Sequence, residues 1–350
     1  MSLEDNIRKV EPYTPGEQPK SKVIKLNTNE CPYPPSPEVT KTLNRLDWNR
    51  LRLYPDHAMT ELTESIADHY GVKPSQVFAG VGSDDVLSMC FLTFFCGEKP
   101  VIFPDITYSF YDVWTEVYRI PYETRPLDED FKIRLSDYLT ENGGIVIANP
   151  NAPTGRAESI ELLEEIIKNN RDSVVIIDEA YVDFGAETAL PLIEKYDNLI
   201  VVRTMSKSRA MAGMRIGYCF GDEKLIKYLN DVKYSVNSYT LNYPAIAAGK
   251  AAIEDTGYFK EIVGRIIKTR EHTEAELTKL GFTYFPSATN FIFAKPPEGL
   301  EASEVFLKLK ENGIYVRYFD KERISDRLRI TIGTDDEMHM LIHVLKEITG

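Results

Sequence analysis

Lys207 is the residue whose surroundings point most directly to chemistry. It lies in a run of small residues in which Ser206, Ser208 and Gly213 offer hydroxyl groups and close backbone approach to an anion. Arg215 follows eight positions later. An amine and an arginine in such a loop would suit an aldehyde ligand that carries a phosphate. The alternative is an ordinary turn with a surface charge, and this loop alone does not distinguish the two interpretations.

Polar residues also follow two apolar strands. Asp178 ends the run Val174 to Ile177, and Tyr181 comes three residues later. A carboxylate in a partly dry site favours a cationic partner such as a protonated pyridine nitrogen, although a strand-end aspartate can simply cap the next helix. The stretch 149–155 (NPNAPTG) has an irregular backbone that could aim the amide of Asn151 at a ligand oxygen; a structural turn explains it about as well.

A glycine-containing run, residues 80–85 (GVGSDD), links the predicted strand 76–79 to the helical run 86–95. Backbone N–H groups at a helix start bind phosphate, because they lack partners and lie at the positive end of the helix dipole. A dinucleotide site is the competing interpretation, since the run begins like G-x-G-x-x-G and Asp105 lies downstream. Asp85 occupies the place of the third glycine, however, and a partial fingerprint is weak.

Tyr108 lies at a further strand exit, where its ring could stack on a flat heterocycle or belong to the core. Taken together, the candidates are a phosphate cradle, a stacking ring, an amide, a strand-end carboxylate and a loop lysine. One aromatic aldehyde phosphate requires this set of groups. The combination is therefore more informative than any member of it.

The elements that must position these residues follow an α/β pattern. From about residue 57 to 245, helical stretches such as 60–70 and 160–169 alternate with short apolar runs such as 144–148. This alternation predicts a mainly parallel sheet covered by helices on both faces. After Pro244 the pattern changes to a long helical region, about 245–280, followed by mixed strands and helices that indicate a smaller α+β domain.

The N-terminal part is expected to be an extended arm, because residues 11–37 hold seven prolines. We predict three regions. Residues 1–30 form the arm and part of the small domain, residues 31–244 the large domain and residues 245–350 the small C-terminal domain. A chain of 350 residues with 43% hydrophobic content is long enough for two unequal domains.

Charge and cysteine usage narrow the class of partner. The formal net charge is −13 without a block of basic residues, which disfavours nucleic acid and anionic membranes and favours a small-molecule partner. The four cysteines are scattered without a C-x-x-C pair, so we expect reduced thiols and a cytoplasmic protein. The sequence lacks an apolar run of the roughly 18 residues that a membrane span needs, and no secretion signal is predicted.

At this point the chain resembles the fold-type I pyridoxal-phosphate enzymes, and most closely the histidinol-phosphate aminotransferase family. The similarity covers nearly the whole chain, and the order and spacing of its motifs agree. The motifs are Tyr13-Thr14-Pro15-Gly16, residues 26–30 (LNTNE), Tyr54-Pro55-Asp56, Gly82-Ser83-Asp84, the NPNAPTG stretch, residues 178–181 (DEAY), Ser206-Lys207 with Arg215, Asn290-Phe291, Val316-Arg317 and residues 328–333 (LRITIG).

The resemblance implies pyridoxal 5'-phosphate as cofactor and a role for each matching residue. Lys207 would form the internal aldimine, Asp178 would pair with the pyridine nitrogen and Tyr181 would contact the phenolic oxygen. The remaining cofactor contacts would be Gly82, Ser83, Asp84, Ser206 and Arg215 on the phosphate, Tyr108 stacked on the ring, Asn151 near the phenolic oxygen and Tyr54 reaching the phosphate of the neighbouring subunit. The substrate-binding residues would be Tyr13, Glu30, Arg317 and Arg329.

Two positions depart from the family pattern. The asparagine that usually precedes Pro-Thr-Gly is Ala152 here, so the amide that faces the phenolic oxygen is either Asn151 or missing. The glutamate that usually follows Gly-Ser-Asp is the shorter Asp85, which leaves the backbone cradle intact.

By resemblance, we expect a homodimer that exchanges an amino group between L-histidinol phosphate and 2-oxoglutarate in histidine biosynthesis. An aromatic amino-acid aminotransferase and a threonine-phosphate decarboxylase are the alternatives on this scaffold. Two other classes are disfavoured. The ligand-sensing module of a transcription regulator would carry a DNA-binding domain ahead of Glu11-Pro12-Tyr13, and a metal site at His339 and His343 lacks the H-E-x-x-H pattern.

Overall fold

Alternating strands and helices build most of the molecule. The computed structural model describes residues 2–350. Its strands are β1 (Ile24–Lys25), β2 (Val77–Gly80), β3 (Val101–Pro104), β4 (Tyr122–Arg125), β5 (Gly144–Ala148), β6 (Val175–Asp178), β7 (Leu199–Thr204), β8 (Gly217–Gly221), β9 (Thr283–Tyr284), β10 (Phe291–Lys295), β11 (Ile314–Tyr315), β12 (Arg317–Tyr318) and β13 (Leu328–Thr331). Its helices are α1 (Pro37–Asn44), α2 (Thr60–Tyr70), α3 (Ser83–Phe94), α4 (Tyr111–Tyr118), α5 (Ile160–Asn169), α6 (Glu223–Val236), α7 (Tyr243–Glu254), α8 (Thr256–Lys279), α9 (Ala302–Glu311) and α10 (Asp335–Thr349).

The large sheet has seven strands in the order β2-β8-β7-β6-β5-β3-β4. The strands from β7 through β4 pair in parallel, and β8 pairs antiparallel with both β2 and β7. Side chains on β6 alternate between two cores. Val175 and Ile177 join the core with α2, α5 and α7, whereas Ile176 joins the core with α3, α4 and α6. A strand buried on both faces has to be apolar throughout, so the predicted α/β class is confirmed.

The smaller sheet is antiparallel, in the order β12-β13-β10-β9. A separate core lies between this sheet and helices α8, α9 and α10. The N-terminal strand β1 pairs in parallel with β11, so the first part of the chain is attached to this unit. Arg317 on β12 and Arg329 on β13 are paired in register. The expected α+β texture of the C-terminal part is therefore present.

The long helical region predicted over about 245–280 is present, and it consists of two helices, α7 and α8. Asp255 separates α7 from α8 and caps α8 by accepting a hydrogen bond from the Tyr258 N–H at 3.1 Å. Helix α7 is rich in alanine and packs against α1 and α2, which belong to the large unit. On packing alone, the change from the large to the small unit lies near Asp255.

The N-terminal arm contacts helix α4 of the large unit. Residues 7–23 form neither helix nor strand, as their prolines predict. The ring of Tyr13 stacks on Phe110 with centroids 4.3 Å apart, and Arg8 donates to the Val117 carbonyl at 2.6 Å. Among residues 2–350, none of the helices combines the length and apolar character of a bilayer span.

Candidate active site

A cavity of about 190 Å³ opens at the carboxyl ends of β5, β6 and β7. In open α/β sheets this edge is where ligands bind, because the strands present their last residues and the helices begin there. Thr28 and Glu30 close the cavity from the segment after β1. Its lining residues are Thr28, Glu30, Ser83, Asp84, Tyr108, Ala148, Pro150, Ala152, Asp178, Ala180, Tyr181, Thr204, Ser206, Lys207, Ala212 and Arg215.

Asp178 ends β6 as a buried carboxylate on the cavity wall. Its oxygens accept hydrogen bonds from the Tyr111 hydroxyl at 2.9 Å and from the Ala180 N–H at 3.1 Å. Burial raises the pKa of Asp178 to about 6, although both hydrogen bonds oppose the shift. Neither of these two donors carries a positive charge to balance the buried carboxylate, so a cationic group in the cavity would stabilise it.

The start of α3 forms an anion cradle. Gly82 precedes the helix with φ of 87°, which favours glycine, and the N–H groups of Ser83 and Asp84 belong to the first helical turn, where the helix offers them no carbonyl. A Cβ on Gly82 would come within 2.5 Å of Arg215 Nη2. The departure at Asp85 is explained by its contact, because its carboxylate accepts the Val81 N–H at 2.9 Å and so holds the loop.

Arg215 faces this cradle from the other side. Its Nη2 donates to Asp84 Oδ2 at 3.0 Å, and Tyr108 donates to the other carboxylate oxygen at 2.8 Å. The side chains of Arg215 and Asp84 are about 40% exposed, at 43% and 40%. An ion pair that is this exposed contributes at most about 1 kcal/mol, so a dianionic phosphate would compete well for the guanidinium. Ser206 Oγ lies 3.5 Å from Arg215 Nη1 on the same wall.

Lys207 extends into the cavity from the loop after β7. Its Nζ donates to the Thr28 carbonyl at 3.3 Å and lies 5.7 Å from the centre of the Tyr181 ring. The next residue, Ser208, donates to Asp183 at 2.5 Å and so anchors the loop from behind. These contacts present the amine to the cavity while they fix the backbone that carries it.

Glu30 is an acidic residue that lines the cavity from the segment after β1. It forms an ion pair with Lys25, and Thr28 donates to it at 2.8 Å. Burial acts to raise the pKa of Glu30, but the hydrogen bonds from Lys25 and Thr28, with the positive charges of Lys25 and Lys207, outweigh burial and lower it. Glu30 therefore stays ionised at neutral pH.

Asn151 lies behind the cavity. Its Nδ2 donates to the Ile106 carbonyl at 2.9 Å and to Thr154 at 3.0 Å, and its Oδ1 accepts from Thr107 at 2.8 Å. These contacts occupy the amide, and it is the methyl group of Ala152 that lines the cavity instead. In this structure the Asn151 amide thus holds the loop together and does not point at the cavity.

Two arginines form a second charged region beside the cavity. Arg317 and Arg329 lie directly opposite each other on β12 and β13, so their side chains leave the same face of the sheet. Arg329 Nη2 donates to the Asn27 carbonyl at 3.0 Å, whereas its Nε is buried without a partner among residues 2–350. Within the same residues, no carboxylate lies within 4.0 Å of either guanidinium. Burial lowers the pKa of Arg329, and the charge of Arg317 adds to that effect.

The remaining predicted residues lie apart from the cavity or at its margin. Tyr13 lies near Tyr108, with ring centroids 6.5 Å apart. Tyr54 is 81% exposed, and its ring stacks on Tyr239 at 4.6 Å, outside the cavity wall. Asp105, considered for a dinucleotide, accepts the Leu127 N–H and pairs with Arg323, so its oxygens hold a loop.

Three residues that contribute to this arrangement were not predicted from the sequence. Tyr111 touches Asp178 from the start of α4, Asn29 donates to the Tyr181 hydroxyl at 2.9 Å, and the Thr28 carbonyl accepts from Lys207. A local signal existed for Tyr111, because it follows Tyr108 by three positions and the turn between them leads directly into α4. The other two contacts join residues more than 150 positions apart, and no local pattern indicates them.

Comparison with known proteins gives a consistent result. A model of the family described as aminotransferase class I and II matches residues 21–345. A histidinol-phosphate aminotransferase of Lactococcus lactis subsp. cremoris is 51% identical over 348 residues, which cover 99% of this chain and 98% of that protein. At this identity and coverage, the earlier resemblance is confirmed.

Solved structures agree on the fold. A histidinol-phosphate aminotransferase of Sinorhizobium meliloti, solved in complex with pyridoxal-5'-phosphate, superposes with a TM-score of 0.85 at 25% identity, over 93% of this chain and 90% of that chain. An L-threonine-O-3-phosphate decarboxylase of Porphyromonas gingivalis superposes with a TM-score of 0.79 at 20% identity, over 93% and 99%. The fold is therefore common to two different reactions and does not choose between them.

Proposed function

Because this chain belongs to the aminotransferase class I and II family, we propose that it exchanges an amino group between L-histidinol phosphate and 2-oxoglutarate, with pyridoxal 5'-phosphate as cofactor. The observation that supports this substrate class best is the facing pair Arg317 and Arg329, which lacks an acidic partner among residues 2–350. Like charges directly opposite each other on a sheet are destabilising unless an anion lies between them. Both proposed substrates bring one, as a phosphate or a carboxylate.

The residues around the cavity suit the cofactor. The buried Asp178 carboxylate lacks a cationic partner, and the start of α3 presents N–H groups that the helix itself cannot satisfy. In our proposal Ser83, Asp84, Ser206 and Arg215 hold the phosphate. Asp178 holds the pyridine nitrogen, Tyr181 contacts the phenolic oxygen, Tyr108 stacks on the ring and Lys207 binds the aldehyde carbon. When bound, pyridoxal phosphate supplies an electron-withdrawing ring that acidifies the carbon next to the amino nitrogen.

The protein groups divide the catalytic work between them. Asp178 keeps a proton on the ring nitrogen, because a buried carboxylate is far more stable beside a cation than alone. Lys207 Nζ would accept the proton that leaves the substrate's α carbon and deliver it to the former aldehyde carbon on the other side of the amino nitrogen, which is general acid–base catalysis by one amine. The hydrogen bond from Ser208 to Asp183 anchors the loop that carries this amine.

Substrate discrimination tests the proposal. The phosphate of histidinol phosphate should give a kcat/KM at least about 10²-fold above that of histidinol, because removing it leaves two partly buried guanidinium groups without an anion. L-Phenylalanine and L-tyrosine serve as donors for the aromatic alternative. Carbon dioxide release from threonine phosphate without amino transfer would reject the proposal in favour of the decarboxylase.

We also propose a homodimer with shared active sites. Tyr54, Trp48, Leu51 and Leu53 are large side chains that are each more than half exposed, and Tyr54 lies outside the cavity of its own chain. Exposed apolar side chains grouped in this way are typical of a protein interface. In the dimer, Tyr54 would reach the cofactor phosphate of the neighbouring subunit.

Subunit mixing tests this arrangement. Lys207→Ala and Tyr54→Ala chains are each mixed with the other, so that a hybrid dimer has one site with both defects and one site with neither. At a cofactor concentration too low to load the Tyr54→Ala dimer, activity should return on mixing to a level set by the hybrid fraction. If hybrids form, as shown by differently tagged chains, and activity does not return, each site is built from one chain.

We also propose that the enzyme acts in the cytoplasm, because its cysteines are free thiols and its proposed role is biosynthetic.

A further inference from the structure

Asn29 occupies an unusual position beside the cavity. It is 1% exposed and adopts φ of 55°, a left-handed conformation that asparagine tolerates better than most residues. Its N–H donates to Thr331 Oγ1 at 3.0 Å, and its carbonyl accepts from Asn290 Nδ2 at 3.0 Å. The backbone of Asn29 is therefore held by two residues of the small unit.

The side chain of Asn29 is held in one orientation. Its Oδ1 accepts from the Thr331 hydroxyl at 2.9 Å, and its Nδ2 donates to the Tyr181 hydroxyl oxygen at 2.9 Å. Thr331 Oγ1 already accepts the Asn29 N–H, so its own proton goes to Oδ1. This leaves the amide nitrogen for Tyr181, whereas a reversed amide would take away the acceptor of the Thr331 hydroxyl proton.

The consequence concerns the proton of Tyr181. Because one lone pair of the hydroxyl accepts from Asn29, the O–H is available to donate into the cavity that Tyr181 lines. The usual amide at this edge is absent, since residue 152 is alanine and the Asn151 amide is engaged by Ile106, Thr107 and Thr154. Asn29 is thus the amide group that acts on this edge of the site.

We propose that Asn29 is a positioning residue that directs the Tyr181 hydroxyl towards the phenolic oxygen of the cofactor, and that Thr331 in turn fixes Asn29. The inference rests on the proposed cofactor. Thr331 lies two positions after Arg329 on β13, so the strand that carries an anion-binding arginine also orients the tyrosine. Asn29 itself need not touch the cofactor, since it acts through Tyr181.

A double-mutant cycle tests the proposal without turnover. The absorbance of the bound cofactor is titrated with pH in wild type, Asn29→Gly, Tyr181→Phe and the double variant. Glycine is chosen because it keeps the left-handed backbone while it removes the amide. A hydroxyl that donates to the phenolic oxygen stabilises its anionic form, so losing that donor should move the transition to higher pH.

We expect Tyr181→Phe to shift the transition by about one pH unit and Asn29→Gly by about half as much. Asn29→Gly should cause no further shift once Tyr181 is phenylalanine. Equal shifts in both backgrounds, or none from Asn29→Gly in the wild-type background, would overturn the proposal.

Two further variants guard against loss of folding. Asn29→Asp keeps the shape and the contact with Thr331, but its second oxygen accepts the Tyr181 proton, so the shift should be at least that of Asn29→Gly. Asn27→Ala is the matched control, because this neighbouring buried amide donates to the Glu17 carbonyl and not to Tyr181. It should leave the transition unchanged, and a shift equal to that of Asn29→Gly would contradict a specific role. Wild-type transamination is measured separately, so a failure of the proposed function is distinguishable from a failure of this inference.

Discussion

The two charged regions of the site are built in opposite ways. In the cradle at the start of α3, Arg215 already has a carboxylate partner, Asp84. On β12 and β13, Arg317 and Arg329 face each other without one in the part of the chain that the structure describes. The cradle is arranged before any ligand arrives, whereas the arginine pair is left for a ligand to neutralise. This contrast suits a resident cofactor at the first region and exchanging substrates at the second.

The largest effect should come from the amine at the cofactor region. Lys207→Ala should lower kcat by at least about 10³-fold, because it removes the group that carries the proton between two carbons. The visible absorbance of the lysine-bound cofactor should be lost, while the phosphate contacts keep some cofactor in place. Full turnover in this variant, measured after dialysis against fresh cofactor, would remove Lys207 from the mechanism.

At the arginine pair the expected effect is confined to the substrate. Arg329→Ala should lower kcat/KM for glutamate by about 10²-fold, mainly through KM, since a partly buried charge partner is lost. Cofactor affinity, measured by equilibrium dialysis, should change little. Arg329→Lys is the matched control and should fall in between, because it keeps the charge and loses the two-pronged geometry. Equal losses of cofactor and substrate affinity would contradict the proposed difference between the cofactor region and the arginine pair.

Asp178 gives a prediction for the cofactor-free protein. Its pKa is raised from 3.8 to about 6 by burial, so the folded chain holds an extra proton between these pH values. The contribution of Asp178 to stability should therefore fall as pH rises from about 4 to 6 and then stay level. Asp178→Asn removes this loss and should be the more stable form above pH 6, by roughly 3 kcal/mol. Melting curves from pH 4 to 8 measure the difference, and a Tm gap that does not change with pH would contradict the unpaired carboxylate.

Tyr54 should give the smallest effect. Tyr54→Phe removes one hydroxyl that, in our proposal, donates to the phosphate of the neighbouring subunit's cofactor, and should weaken cofactor binding by about tenfold. Substrate KM should be unaffected at saturating cofactor. Fluorescence titration of the cofactor-free protein measures this affinity. An unchanged affinity would mean that Tyr54 of the neighbouring subunit does not contact the cofactor phosphate.

The sequence was most informative where function depends on local order. Asp178 was correctly predicted to end an apolar strand, and Gly82 to lie directly before a helix. The two helices α2 and α5 have the predicted bounds, because their apolar periodicity and their end residues depend on residues that are close together in the sequence. Such features can be predicted without the tertiary structure because they depend on neighbours along the chain.

Contacts between distant segments could not be predicted in the same way. Arg317 and Arg329 become neighbours only through the register of β12 and β13, and Asn29 meets Tyr181 only because β1 joins the small unit. The break at Asp255 was missed because Asp255 ends one helix and caps the next without an intervening loop. The engaged amide of Asn151 likewise depends on a loop 45 positions earlier.

The most direct test of amino transfer is a single half-reaction. Enzyme loaded with pyridoxal phosphate is mixed with L-histidinol phosphate in the absence of a keto acid, and the cofactor is followed by absorbance and by chromatography. We predict that the cofactor is converted to its amine form in a one-to-one ratio with the active sites, and that 2-oxoglutarate then restores the aldehyde form. A cofactor that stays in the aldehyde form while substrate is consumed would contradict the assignment as an aminotransferase.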